Sequence, residues 1–266
     1  DSFKQDVCIP LKYGVEQCVG DTLGPGGVFR ALRTIPVLLD ICRDMEDLCP
    51  DALLLNYVNP MAINCRALDA AAGIKHVGLC HGVQHTTRFL ASYIGAPVEE
   101  ITHNIAGINH MAWFLEFKWK GKDAYPLIWK KLKRKGEPKT EKFRFSMMKA
   151  TGYFMTESCG HLSEYLPYVR HRKDLLKKYR EEKYWDTLAD YIRYKGGMKD
   201  VYALTKRQAD GKEKIPYGVR GVEYASSIIN AMETNVPFRF NGNVRNTSLF
   251  TNLRENACVE VPCFAD

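Results

Sequence analysis

At 266 residues the chain is long enough for a sizeable core and one or two domains, and 45% hydrophobic with 26% charged residues is ordinary for a globular protein. No apolar run approaches the roughly 18 residues that cross a bilayer, and no charged-then-apolar signal segment opens the chain, so no membrane partner is expected. The net charge of +7 suits an acidic sugar or a subunit contact, but its basic residues are not interleaved with aromatics as a nucleic-acid reader requires, so no nucleic-acid partner is expected either.

Nine cysteines, an odd number scattered without module spacing, point to reduced thiols in a cytoplasmic protein rather than a disulfide framework. Taken in chain order, Leu23-Gly24-Pro25-Gly26-Gly27 punctuates the sequence before a helical pattern from Val28 to about Leu48, which Pro36 is expected to kink. A strand at 53–58 follows, then a helix from Pro60 to Ala72 capped by Gly73, a strand at 76–80, and a helix over Gln84–Tyr93 ended by Gly95. This alternation predicts parallel βαβ units. A third apolar run ends in Asn109 and His110. Trp113–Trp119 alternates like a half-exposed antiparallel strand turned by Gly121-Lys122-Asp123. Helices are expected at about 125–135, 141–151, 162–195 and 223–234, and strands at 236–243 and 257–264. Twelve Lys or Arg against three acids between Lys118 and Lys149 read mainly as a solvated helical face. Lys130 to Gly136 looks like a helix end, where cations suit the dipole.

No Gly-x-Gly-x-x-Gly follows a strand anywhere, and the Gly24 turn has the wrong spacing. If the fold binds a dinucleotide, its first βαβ unit is expected to be missing from this chain, as in a fragment lacking its initiator Met. Cys80 and His110 each end an apolar run, and in open α/β sheets ligands gather beyond the carboxyl ends of strands. A thiolate, two or three imidazoles and the carboxamides of Asn59 and Asn109 could therefore meet around an open metal. On spacing alone, a buried cysteine and a core histidine explain the pair as well, because it matches no compact zinc signature.

The motifs Asp21–Gly27, Asn56–Ala62, Gly78–His81 and Ala106–Ala112, with Gly152–Ser158, Ser163–Tyr165, Glu223–Ser226, Gly242–Asn246 and Cys258–Pro262, together resemble glycoside hydrolase family 4, nearest its α-galactosidase (melibiase) branch. The resemblance covers almost the whole chain in the family's order. It implies an α/β fold: a partial Rossmann-like parallel sheet over residues 1–111, its first βαβ unit absent, followed over 112–266 by a mixed α+β substrate and oligomerisation domain of the lactate/malate-dehydrogenase-like type, truncated at its C-terminus. It also implies an NAD- and divalent-metal-dependent glycosidase, usually with Mn2+, acting on a small α-glycoside as a homodimer or homotetramer. The two-carboxylate mechanism of most glycosidases does not apply to this family.

By matched position, the resemblance makes Cys80 and His110 the metal's protein ligands, although a thiolate is softer than manganese usually prefers. Tyr224 matches the base that deprotonates sugar C2; an Arg stands two positions earlier in many relatives, here Val222, and Arg220 is the nearest substitute. His81 matches the group that protonates the leaving oxygen or hydrogen-bonds the substrate. Asn59 is assigned to the cofactor and substrate, and Asn109, Asp21, His161 and Arg245 to the substrate, with Glu164 a further substrate-side candidate. Asp21 equally suits a cap on the following helix. The expected activity is α-galactosidase. Gly82 after His81, where that branch commonly has Ser, leaves α-glucuronidase or α-galacturonidase as the alternative. A hydroxy-acid dehydrogenase and an inactive fragment or sugar-binding module stand further off.

Overall fold

The computed structural model describes residues 2–179, 199–215 and 221–266. Ser2–Lys12 forms a helix (α1) that the sequence pattern does not announce, because Pro10 interrupts it. An ion pair between Asp6 and Arg33 fastens it to α2 (Gly24–Leu48), which is not divided at Pro36. Strands β1 (Leu53–Asn56) and β2 (Lys75–Gly78) pair in parallel from Leu53 opposite Lys75 to Asn56 opposite Gly78. Helix α3 (Met61–Ala71) connects them, so the expected βαβ unit is present. Leu38 and Cys42 of α2 bury against Leu68 of α3 and Ile74. Gly73 does not cap α3: Ala72 ends the helix in extended backbone, and the Gly73 N–H donates to Glu46 Oε1 at 2.6 Å.

Beyond β2 every pairing is antiparallel. The remaining strands are β3 (Ile101–Ile108), β4 (Met111–Trp119), β5 (Lys122–Asp123), β6 (Phe238–Arg245) and β7 (Cys258–Ala265), and the sheet order is β1-β2-β6-β7-β3-β4-β5. The apolar run ending at His110 is therefore one arm of a hairpin rather than another parallel strand. Ile108 faces Met111, so Asn109 and His110 are its two turn residues. Gly107 must stay glycine there, since at φ 157° an added Cβ would lie 2.6 Å from Ala112 Cα. The alternation expected in β4 changes phase once. Asn104 pairs with Glu116 but Ile105 with Phe114, leaving Leu115 as the extra residue of a bulge, 45% exposed while Phe114 and Phe117 are fully buried.

The main core lies between β3–β4 and the helices α4 (Gly82–Ile94), α5 (Tyr125–Lys135) and α6 (Lys142–Thr151), around Leu90, Phe114, Ile128, Phe145 and Phe154. Each such side chain, fully withdrawn from water, stabilises the fold by about 2–3 kcal/mol. Gly95 ends α4 in left-handed backbone, as the sequence predicts, and Lys133, Arg134 and Lys135 fill the last turn of α5. The helix expected over 162–195 is broken. Helix α7 (Cys159–Tyr165) stops because Leu166 precedes Pro167 and is held extended, and α8 (Lys173–Lys178) is separate. The remainder of that helix, and Arg220, lie outside the described residues. Helix α9 (Ala225–Thr234) covers β2 and β6 through Ile228 and Ala231 against Val77, Leu79 and Phe240. Among the described residues, no helix is long and apolar enough to cross a membrane.

Candidate active site

Three segments converge beyond the carboxyl ends of β1 and β2, where α/β sheets bind ligands. Cys80 stands in the turn from β2 into α4, and His110 in the β3–β4 turn. Glu157 comes from the segment that covers the free edge of β4, held there by Phe114 N–H to the Phe154 carbonyl (2.9 Å) and Thr156 N–H to the Ala112 carbonyl (2.8 Å). The donor atoms of Cys80, His110 and Glu157 all lie within 4.8 Å of one another. The Cys80 thiol donates to Glu157 Oε2 at 3.5 Å, and His110 Nε2 stands 3.4 Å from the same oxygen. His110 and Glu157 both adopt left-handed backbone, at φ 62° and 72°. Neither is a glycine, and strain of this kind persists only where surrounding structure enforces it.

Burial sets the charges. It pushes His110 down to about 4, with His161 adding to the effect, so this imidazole is neutral at neutral pH. Burial alone would raise Glu157, but the histidines 110, 161 and 81 outweigh it and hold the carboxyl at about 2. Burial, and then the charges of Glu157 and Glu260, raise the Cys80 thiol well above its ordinary value. A neutral imidazole, an ionised carboxylate and a thiol that gives up its proton to a cation form a ligand set suited to a divalent metal. Asn109 is 2% exposed, and neither atom of its carboxamide has a hydrogen-bond partner among the described residues; His110 Nδ1 and Asp21 Oδ1 are buried and unpartnered too. Buried polar atoms are seldom left so, and these can bond a polar ligand.

Most of the predicted residues meet here. His81 Nδ1 bonds Glu223 Oε1 at 2.8 Å, and its ring stands edge-on to His85. The His161 ring lies 4.2 Å from that of His110. Asn59 leaves β1 through a cis bond to Pro60, and its amide donates to Asp21 Oδ2 at 3.3 Å. The same oxygen accepts from Arg30, and Asp21 caps no helix: Leu23 stands at the cap of α2, without a side-chain bond. The Tyr224 hydroxyl sits 2.8 Å from the Asn241 carbonyl and 3.2 Å from that of Cys80; burial, and then Glu260, raise its pKa beyond the ordinary range. Arg245 is not brought to this cluster. It lines a separate surface cleft with Asp69, Lys75, His76, Thr247 and Leu249, because β6 runs antiparallel to β2 and carries Arg245 toward the strand's opposite end. Glu164 serves the site indirectly: its Oε1 accepts from the N–H groups of Cys18 (2.5 Å), Val19 (2.9 Å) and Gly20 (3.1 Å), fastening the loop that carries Asp21.

Sequence reasoning misses Glu157 and Glu223. Glu157 lies within the Gly152–Ser158 motif, but nothing local distinguishes it from a surface carboxylate; its signal is the fold itself. Glu223 adjoins Tyr224, and only the tertiary contact with His81 gives it a role.

Residues 1–96 match the family model described as Family 4 glycosyl hydrolase, and residues 105–266 match the Family 4 glycosyl hydrolase C-terminal domain. An α-galactosidase of Bacillus subtilis (strain 168) is 45% identical over 266 residues, covering 98% of this chain and 60% of the relative. An α-galactosidase of Rhizobium meliloti (strain 1021) is 36% identical over 282 residues, covering 100% and 56%. The chain thus spans 56–60% of the length of these relatives. Among solved structures, lplD of Bacillus subtilis superposes with a TM-score of 0.85 at 27% identity, over 100% of this chain and 64% of that one. A 6-phospho-α-glucosidase from gut microorganisms, in complex with NAD and Mn2+, shares the fold with a TM-score of 0.77 at 24% identity, over 98% and 61%.

Proposed function

Because the chain belongs to the family 4 glycosyl hydrolases, we propose that it works as an α-glycosidase on an uncharged sugar, an α-galactoside, using NAD and a divalent ion such as Mn2+. The observation that carries this reading is the convergence of Cys80, His110 and Glu157 beside the His81–Glu223 pair and Tyr224. Relatives named α-galactosidase and a structural neighbour holding NAD and Mn2+ support it. So do the arginines: Arg30 is paired with Asp21, Arg144 with Glu141, and Arg245 stands in another cleft.

When bound, NAD would supply reversible hydride acceptance at sugar C3, the hydride returning after water adds at C1, and the ion would supply Lewis acidity toward the sugar oxygens. The chain's own groups do the rest. Cys80 and His110 would hold the ion, and Asn59, in the turn between β1 and α3, would contact the cofactor and the sugar. Asn109 and Asp21 engage sugar hydroxyls with atoms that otherwise lack partners. Tyr224 removes the C2 proton; its hydroxyl is one backbone carbonyl away from Cys80, and a cation nearby is what brings so weak an acid into play. His81 then protonates the leaving oxygen through Nε2, because Glu223 fixes Nδ1 as the other donor. Exposed Phe29 and Leu32 on α2 support association with a second copy.

The test is hydrolysis of an aryl α-galactoside and an aryl α-galacturonide with NAD, Mn2+ and reductant each added or withheld. Galactoside cleavage that requires NAD and is abolished by EDTA is expected. Cleavage indifferent to both, or confined to the galacturonide, refutes the proposal.

A further inference from the structure

With Cys80 and His110 alone, the ion has two protein ligands, one of them softer than a manganese-like ion prefers. We propose that Glu157 is a third ligand, making a Cys–His–carboxylate site, and that glycine at position 82 is what admits it. The inference rests on the assignment of Cys80 and His110 to the metal.

One oxygen carries the geometry. Glu157 Oε2 faces both other donors, 3.4 Å from His110 Nε2 and 3.5 Å from Cys80 Sγ, while Oε1 is taken up by the Ser158 N–H at 3.3 Å. A carboxylate serving only as counter-charge to His110 would not need to present the same oxygen to the thiol. Its placement is also rigid. The bonds from residues 154 and 156 to β4, and the Ala112 N–H to Thr156 Oγ1 at 3.1 Å, tie the Glu157 backbone to the strand that begins just after His110. Both residues hold left-handed backbone, so the sheet edge fixes the spacing of imidazole and carboxylate against local preference.

Position 82 supplies the independent constraint. A Cβ built on Gly82 would lie 2.5 Å from Glu157 Oε2 and 3.2 Å from its Cδ. Any side chain there would push the carboxylate off the thiol. Gly82 opens α4 without left-handed backbone, so no conformational demand of its own calls for glycine; the carboxylate does. Chemically, thiolate and carboxylate together balance a doubly charged ion, and a carboxylate shifts preference toward harder ions of the manganese type. Sugar oxygens can take the positions left over.

Titrating Mn2+ into the purified chain, with free Mn2+ counted by electron paramagnetic resonance, tests this without catalysis. Glu157→Gln keeps the shape and is expected to weaken binding by about tenfold or more, a loss at least as large as for groups that merely support ligands. Glu157→Asp should fall between. Gly82→Ala, which leaves the carboxylate but displaces it, should match Glu157→Gln, and the double variant should bind no worse than Glu157→Gln alone. The ratio of Mn2+ to Cd2+ affinity should drop in each. Wild-type Mn2+ affinity in Glu157→Gln with binding lost in Cys80→Ser overturns the third ligand alone. If Glu157→Gln does not fold, wild-type affinity in Gly82→Ala does the same. Unchanged affinity in Cys80→Ser overturns the metal assignment beneath it.

Discussion

Glu164 offers a test of how the loop that carries Asp21 is held. Its Oε1 accepts from three successive N–H groups, those of Cys18, Val19 and Gly20, and residues 18 and 20 are buried. Glu164→Ala strands these donors. At about 1 kcal/mol for each bond lost, with water poorly placed to replace them, the cost comes to about 3 kcal/mol. At a urea dependence of about 3 kcal/mol per molar, the unfolding midpoint falls by about 1 M. Glu164→Gln should behave differently. Burial raises the Glu164 pKa, and neither His161 nor the three backbone donors overcome it, so ionising this carboxyl costs more in the folded protein than in the unfolded chain. A neutral amide oxygen in its place should therefore cost under about 1 kcal/mol. The pH dependence follows in sign. A folded pKa above the unfolded one makes ionisation a penalty, fully present above the folded pKa and gone below the unfolded one. Wild type should thus gain on Glu164→Gln as pH falls through the carboxylate range. Urea unfolding followed by circular dichroism at a series of pH values from neutral down through that range measures both. A Glu164→Ala variant as stable as wild type, or a Glu164→Gln variant as damaged as Glu164→Ala, refutes the reasoning.

Two further substitutions probe the core and the chemistry. Arg144 is buried against the rings of Phe89 and Phe154, bonds Glu141 at 2.7 Å and Thr86 at 2.9 Å, and so cannot be lost quietly. Arg144→Met fills the volume but leaves the Glu141 carboxylate unpaired, and should destabilise by about 3 kcal/mol or more in the same urea assay, whereas a loss under about 1 kcal/mol would contradict the pairing. Tyr224→Phe removes the hydroxyl on the Asn241 carbonyl, at about 1 kcal/mol of stability. It should abolish solvent deuterium exchange at sugar C2 while leaving Mn2+ affinity intact, and exchange at the wild-type rate would refute the proposal that Tyr224 is the base.

The parallel unit is legible in the sequence because its signals are local: short apolar runs, Gly95 at a helix end, a βαβ alternation that sheet geometry permits in few ways. Where neighbours decide, the pattern misleads. Gly73 looks like a cap but gives its N–H to Glu46. The alternation of β4 conceals a bulge at Leu115, which returns Phe117 to the core only by exposing two residues in a row. The site divides in the same way. Cys80, His81, Asn59 and Tyr224 sit at element ends, which sequence marks; Glu157 sits in an irregular segment whose position is set by bonds to β4, and Arg245 lies on the right strand but too far along it.

That division reflects how the site is joined. Cys80 belongs to the parallel part of the sheet and His110 to the β3–β4 hairpin, along whose edge Glu157 is held; β6 and β7 lie between. Each outer joint in this bridge is a single ladder pair, Gly78 opposite Asn243 and Gly107 opposite Glu260. Two buried asparagines of β6 reinforce it: Asn243 donates to the Gly78 carbonyl at 3.3 Å, and Asn241 to the Ile105 carbonyl at 3.1 Å. The Asn241 carbonyl in turn holds the Tyr224 hydroxyl. Polar side chains are costly at such depth unless fully bonded, so their presence on the strand that joins the two halves marks where the fold accepts that cost. The distance from Cys80 to His110, on which the proposed metal site depends, is thus set less by either half than by β6.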